Sequence, residues 1–225
     1  RWVDGVTVHS QFLADRLVGM GLSNAQILRL PSCVARDRFQ PVAADLLAQW
    51  RMRLGIGEQQ VILYVGTLSL NNHPVDLLLH AFAQLLKQRR DVILLLVGGG
   101  ADWVALQKLA EQLGITDRCR FAGRVAANEV PALFGLADVS VDPIEDNLVA
   151  RARWPLKIIE SLAAGVPVVT GDVGDRRAML GNGRAGLLVD PGDAAALAAA
   201  IQTILADPSL HAQLKAGALT QAQLY

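Results

Sequence analysis

The chain lacks the motifs that mark most nucleotide and hydrolytic chemistry. No two aspartates stand two residues apart, so a D-x-D clamp for a metal-held nucleotide diphosphate is missing. Neither a Walker loop nor a G-x-S-x-G elbow occurs, and His9, His73, His80 and His211 are scattered. Metal and serine-hydrolase chemistry therefore have no support. Cysteine is scarce: Cys33 and Cys119 fit no metal or redox spacing and read as buried free thiols in a reducing compartment. Excess charge is also missing, with 21 basic and 21 acidic side chains, which argues against a nucleic-acid partner or a polybasic membrane dock. Long apolar runs are absent. The most apolar helical stretch, Ala194 to Leu205, is too short to span a bilayer, and no signal peptide is visible.

What is present is core-forming sequence. Apolar residues make up 52% of 225, enough for one full domain plus an attached piece. The chain opens at Arg1 without methionine and ends at Tyr225 inside a helical pattern, which reads as part of a longer protein. Val3 to Val8 alternates like a strand, Gln11 to Leu17 reads as a helix capped by Ser10, and Ile27 to Leu30 as another strand. This small unit looks like the end of a preceding α/β domain, with Ser32 to Pro41 as a linker. The expected division is thus 1–41 and 42–225.

From residue 42 a regular alternation follows. Helices are expected over Ala43 to Leu54, Pro74 to Leu86, Trp103 to Leu113 (with Asp102 as N-cap), Glu129 to Ala137 and Ala194 to Leu205. Strands are expected over Val61 to Val65, Val92 to Val97, Arg118 to Ala122, Val139 to Val141 and Ala185 to Val189. Strands apolar throughout and separated by helices imply a Rossmann-like α/β fold, a parallel sheet with helices on both faces. Ligands of such sheets bind beyond the carboxyl ends of the strands, near a reversal of strand order.

The stretch P-L-K-I-I-E-S-L-A-A-G-V-P-V-V-T, Pro155 to Thr170, organises the rest. Pro155 suits a first helical turn, Gly165 a left-handed cap, and Val166 to Thr170 a β-branched strand. Ile158, Ile159 and Leu162 should face a core, which leaves Lys157 and Glu160 together on the opposite face. They could form a solvated ion pair worth about 0.2–0.5 kcal/mol. They could instead serve a ligand, the carboxylate accepting from two sugar hydroxyls and the cation meeting a phosphate near a helix N-terminus. The loop before them, D-P-I-E-D-N-L-V-A-R-A-R-W, delivers Arg151 and Arg153. These build either an anion site or a solvated loop paired with Glu145 and Asp146. Gly98 to Gly100 is a tight strand-to-helix turn or a ligand loop, without the third glycine of a dinucleotide fingerprint.

Taken together, V-G-T-L, V-G-G-G, R-F-A-G-R-V, A-D-V-S-V-D-P and K-I-I-E-S-L-A-A-G-V-P-V-V resemble, in order and spacing, the C-terminal donor-binding half of a GT-B glycosyltransferase. The group resembled is the retaining, nucleotide-sugar-dependent one (glycosyl transferases group 1, family 4). The resemblance implies a bacterial, cytoplasmic enzyme of glycan biosynthesis. It would need no cofactor and no tightly held metal. A sugar would pass from a nucleotide-diphosphate sugar to a saccharide or lipid-linked acceptor. An N-terminal acceptor domain of the same protein would be the partner, and any contact with the inner membrane would be made through that domain.

By the same resemblance Glu160 binds the donor ribose, Gly66 and Thr67 face the diphosphate, Gly98 lies near the nucleotide, and Arg124 and Val125 lie beside the base. His73 and Asp142 complete the donor-binding set. Three positions depart from the family: Thr67 and His73 replace an arginine and a lysine, and Ala152 replaces the first glutamate of E-x7-E. Each lost charge-assisted hydrogen bond is worth about 1.5–3 kcal/mol. Arg153 and Lys157 are expected to take over the catalytic cationic role. The alternative is a non-catalytic nucleotide-sugar-binding module.

Overall fold

The computed structural model describes residues 4–225; the start of the first expected strand, Val3, lies outside the described residues. A front unit pairs two parallel strands, β1 (Val6–Val8) and β2 (Ile27–Arg29), around helix α1 (Gln11–Gly19). The Ser10 side chain caps α1 by accepting from Leu13 N. A connecting segment follows, containing a 3-10 turn at Arg36–Phe39.

The main body holds α2 (Ala44–Leu54), β3 (Gln60–Val65), α3 (Val75–Leu85), β4 (Val92–Val97), α4 (Trp103–Gln112) and β5 (Cys119–Gly123). It continues through α5 (Val130–Gly135), β6 (Val139–Asp142), α6 (Leu148–Ala152), α7 (Leu156–Ala163) and β7 (Val168–Gly171). It ends with α8 (Arg176–Met179), β8 (Gly186–Val189), α9 (Ala194–Ala206) and α10 (Pro208–Gln221). Strands β3 to β8 form one parallel sheet ordered β5-β4-β3-β6-β7-β8. Strand order reverses between β3 and β6, where crossovers leave in opposite directions and open a crevice above the strand ends.

Alternation along the strands divides the core. Ile62, Tyr64, Leu94, Leu96 and Val141 face α3, α4 and α9, whereas Val61, Leu63, Leu95 and Val97 face α2 and α5. On this second side α7 buries Ile158, Ile159 and Leu162 against Val168 and α10. The fold is therefore the Rossmann-like sheet expected, and three local differences have physical reasons. Leu148–Ala152 is helical rather than loop, because the Asn147 side chain caps it by accepting from Ala150 N. The Asp102 carboxylate does not cap its own helix but accepts from Leu70 N at 2.7 Å, tying two loops together. Cys119 is buried, as expected, but Cys33 on the connecting segment is exposed; both are free thiols. Among the described residues no helix is long and apolar enough to cross a membrane.

Candidate functional site

Two adjoining clefts of about 300 Å³ each lie over the carboxyl ends of the central strands and share Val65 and Gly66. The first takes in Gly66, His73, Asp142, Arg153, Lys157 and Glu160; the second takes in Gly66, Thr67, Gly98, Arg124 and Val125. The structure thus brings the predicted site residues into these two adjoining clefts, the first of them over the β3–β6 reversal of the sheet.

Glycine makes the junction possible. Gly98 has φ +135°, and a Cβ on it would lie 1.9 Å from the Gly66 carbonyl oxygen, inside backbone. The turns after β3 and β4 can therefore touch only while residue 98 has no side chain. Gly66 N donates to Val97 O and Gly98 N to Gly123 O, which extends the parallel ladder into the loops.

Lys157 and Glu160 do not pair with each other. Lys157 sits in the first turn of α7 and donates to Asp142 Oδ1 at 3.0 Å, with its ammonium 4.6 Å from the centre of the Tyr64 ring. Tyr64 is held in turn by donating its hydroxyl to Thr67 O. Asp142 closes β6 and is buried; its Oδ2 accepts from Arg176 Nε at 2.9 Å, and its backbone carbonyl accepts from Thr170 Oγ1. Burial alone would push the Asp142 carboxyl up, but Lys157 and Arg176 outweigh it and hold the pKa at about 2. Burial disfavours the Lys157 ammonium, and Asp142 more than compensates, so its pKa is raised. Two cations on one carboxylate leave the cluster with a net positive charge.

Glu160, 7% exposed, pairs at 3.5 Å with Arg38 of the connecting segment. Burial raises its pKa, and Arg38 partly offsets this. His73 moves the other way: burial, then Lys157 and Arg153, lower its pKa to about 4, so the imidazole is neutral at neutral pH. It therefore brings no positive charge into the cleft at neutral pH.

The two arginines of the preceding loop separate. Arg151 is taken up by a two-pronged pair with Asp146, at 2.6 and 2.7 Å, as in the solvated-loop alternative. Arg153 follows α6, donates to the Asn72 carbonyl at 2.5 Å and lines the cleft. Next to it, Trp154 donates from its indole to Ser32 O and packs edge-on against the Tyr225 ring. Sequence reasoning missed Arg38, on the connecting segment, and Arg176. The latter lies in a single-turn helix, where a lone arginine carries no periodicity or spacing to mark it.

Comparison with known proteins gives the arrangement a context. The profile of the glycosyl transferases group 1 family matches residues 48–221. A GDP-mannose-dependent alpha-(1-6)-phosphatidylinositol monomannoside mannosyltransferase of Mycolicibacterium smegmatis is 32% identical over 91% of this chain and 54% of its own length. A D-inositol 3-phosphate glycosyltransferase of Streptomyces avermitilis is 35% identical over 84% of this chain and 41% of its own. The chain spans about half the length of such curated relatives. Among solved structures, Anabaena HepE in complex with UDP-glucose matches with a TM-score of 0.88 at 22% identity, over 100% of this chain and 60% of that one. That likeness speaks for the fold.

Proposed function

Because the chain belongs to the glycosyl transferases group 1, we propose that its clefts bind a nucleotide-diphosphate sugar, as the donor half of a retaining glycosyltransferase. The observation that carries this reading is the convergence of Arg153 and the Lys157 ammonium with the buried Glu160 carboxylate at the switch point. Glu160 accepts from the ribose hydroxyls, and the base lies between Gly98 and the Arg124–Val125 segment. The diphosphate runs past Gly66 and Thr67 toward Arg153 and Lys157.

In the transfer step the bond from the sugar's anomeric carbon to the diphosphate oxygen breaks. Its electron pair leaves on the diphosphate, and the acceptor oxygen forms the new bond and gives up its proton. Charge builds on the leaving phosphate, so preorganised cations lower the barrier there more than in the ground state. The acceptor, saccharide or lipid-linked, and the acceptor domain that would close over it belong to this same proposal, as does a cytoplasmic setting where nucleotide sugars are at hand. One relative is GDP-mannose-dependent and one structural neighbour holds UDP-glucose, so both nucleotides belong in the test.

Thermal unfolding with nucleoside diphosphates and their sugars tests the reading. A ligand at a hundred times its dissociation constant adds about 2.7 kcal/mol, and this response should vanish in both Arg153→Ala and Glu160→Ala. Lys157→Ala should weaken diphosphate binding far more than nucleoside binding; equal losses would remove its phosphate role. The neutral His73 keeps the non-catalytic alternative in play. A protein that binds these nucleotides yet, in its whole-length form, transfers no sugar would establish it.

A further inference from the structure

Arg176 is 1% exposed, although arginine is a side chain seldom buried whole. Its Nε donates to Asp142 Oδ2 at 2.9 Å, and its Nη1 donates to the carbonyls of Ala150 at 3.2 Å and Val173 at 3.3 Å. Burying a guanidinium is costly, and an apolar side chain of similar volume often serves stability as well or better. Helix α8 is one turn long and places Arg176 where it bridges three parts of the site floor: the end of β6, the middle of α6 and the turn after β7.

The arithmetic of charge shows what this bridge can do. Without Arg176, Asp142 would neutralise Lys157 one for one. With it, Asp142 is shared between its two oxygens, Oδ1 to Lys157 and Oδ2 to Arg176, and one positive charge is left over. The bond to Ala150 also fixes α6, which ends immediately before Arg153.

We propose that Arg176 is a positioning residue for donor binding. It clamps Asp142 so that Oδ1 holds the Lys157 ammonium at the cleft wall, and it leaves the site net positive for a diphosphate. This rests on the donor reading above. Arg176 meets the cleft only as part of its floor, 1% exposed, and its hydrogen bonds run to Asp142, Ala150 and Val173, so it acts through the carboxylate.

The test compares Arg176→Met, Arg176→Lys and Asp142→Asn by calorimetric titration with UDP and GDP, and with uridine and guanosine. Arg176→Met should lose about tenfold in diphosphate affinity while nucleoside affinity stays unchanged. Arg176→Lys, which can still reach Asp142, should recover most of that loss. Added to Asp142→Asn, Arg176→Met should cost less than it does in the wild type, because only its charge, and no longer its hold on the carboxylate, is then removed. Equal loss of diphosphate and nucleoside affinity in Arg176→Met would make Arg176 merely structural and overturn the proposal.

A ligand-free readout separates this inference from the donor reading. The Lys157 ammonium, buried and bonded, should give a slowly exchanging nitrogen-15 resonance that Arg176→Met and Asp142→Asn both broaden. An unchanged Lys157 signal overturns the positioning role even if nucleotides bind. A changed signal in a protein whose wild type binds no nucleoside diphosphate upholds the clamp on Lys157 and sinks the donor reading instead. Should Arg176→Met fail to fold, Asp142→Asn carries the test through the Lys157 resonance, and an unchanged signal there overturns the clamp.

Discussion

At residue 98 a single methyl group decides whether the cleft exists. The Gly66 carbonyl stands 1.9 Å from where that carbon would be, and φ is +135°, a conformation other residues adopt only under strain. Gly98→Ala should therefore lower unfolding stability by about 1–3 kcal/mol, seen as a drop in the urea midpoint, and should weaken nucleotide binding as the two turns part. His73 gives a pH signature. Its folded pKa of about 4 lies below the ordinary 6.5, so the unfolded chain binds more protons between these values. That contribution to stability is complete above pH 6.5 and is lost as pH falls toward 4. Urea unfolding at pH 6.5 and pH 4.5 should show a smaller loss for His73→Gln than for the wild type. Individual site residues were readable where they stood in a motif, as Lys157 and Glu160 do in one helix. Their contacts were not: Asp142 was named for the donor set but not its bond to Lys157, and Arg176 reaches that carboxylate from a separate turn; no local period encodes a contact between elements.

Helix α10 sets two rules against each other. Gly217 sits in its interior, where helix propensity favours alanine by about 1 kcal/mol. Yet a Cβ there would lie 1.8 Å from the Arg184 carbonyl oxygen, so α10 packs flush on the segment before β8 only because the side chain is missing. Gly217→Ala should destabilise the protein, as a lowered melting temperature, against the propensity rule. Helix α6 offers the opposite case: Arg151 is exposed and satisfied by Asp146. Arg151→Ala should leave diphosphate affinity within about twofold, as expected of an exposed pair, whereas Arg153→Ala should not. Helices α3, α4 and α9 and the apolar strands were legible because each buries a face whose spacing repeats several times, whereas α10 (Pro208–Gln221), which buries only Leu214, Ala218 and Gln221, was not among the expected helices. The one-turn α8 and the five-residue α6 were not, since each is fixed by a cap or by a distant bond rather than by its own pattern.

Over the whole molecule, a parallel sheet was implied by strands that are apolar on both sides, and the order β5-β4-β3-β6-β7-β8 brings the loops after β3, β4, β5 and β6 to two adjoining clefts. How the connecting segment meets those clefts was not implied. Arg38 reaches from the segment to Glu160 and also donates to Ala127 O at 2.9 Å. Arg38→Ala should weaken nucleoside affinity a few-fold, in keeping with a half-exposed ion pair, while the additional affinity contributed by the diphosphate stays as it was. This is the mirror of the Lys157 result, and paired titrations with nucleoside and nucleoside diphosphate would read both.

Trp154 has one further consequence. A single indole touches the segment from the front unit through Ser32, the last residue of the chain through Tyr225, and the wall of the cleft itself. Its emission is thus a natural optical gauge: filling the cleft should alter the colour or brightness of that light in the unlabelled protein, and Trp154→Phe should extinguish the response while the other tryptophans go on glowing unchanged.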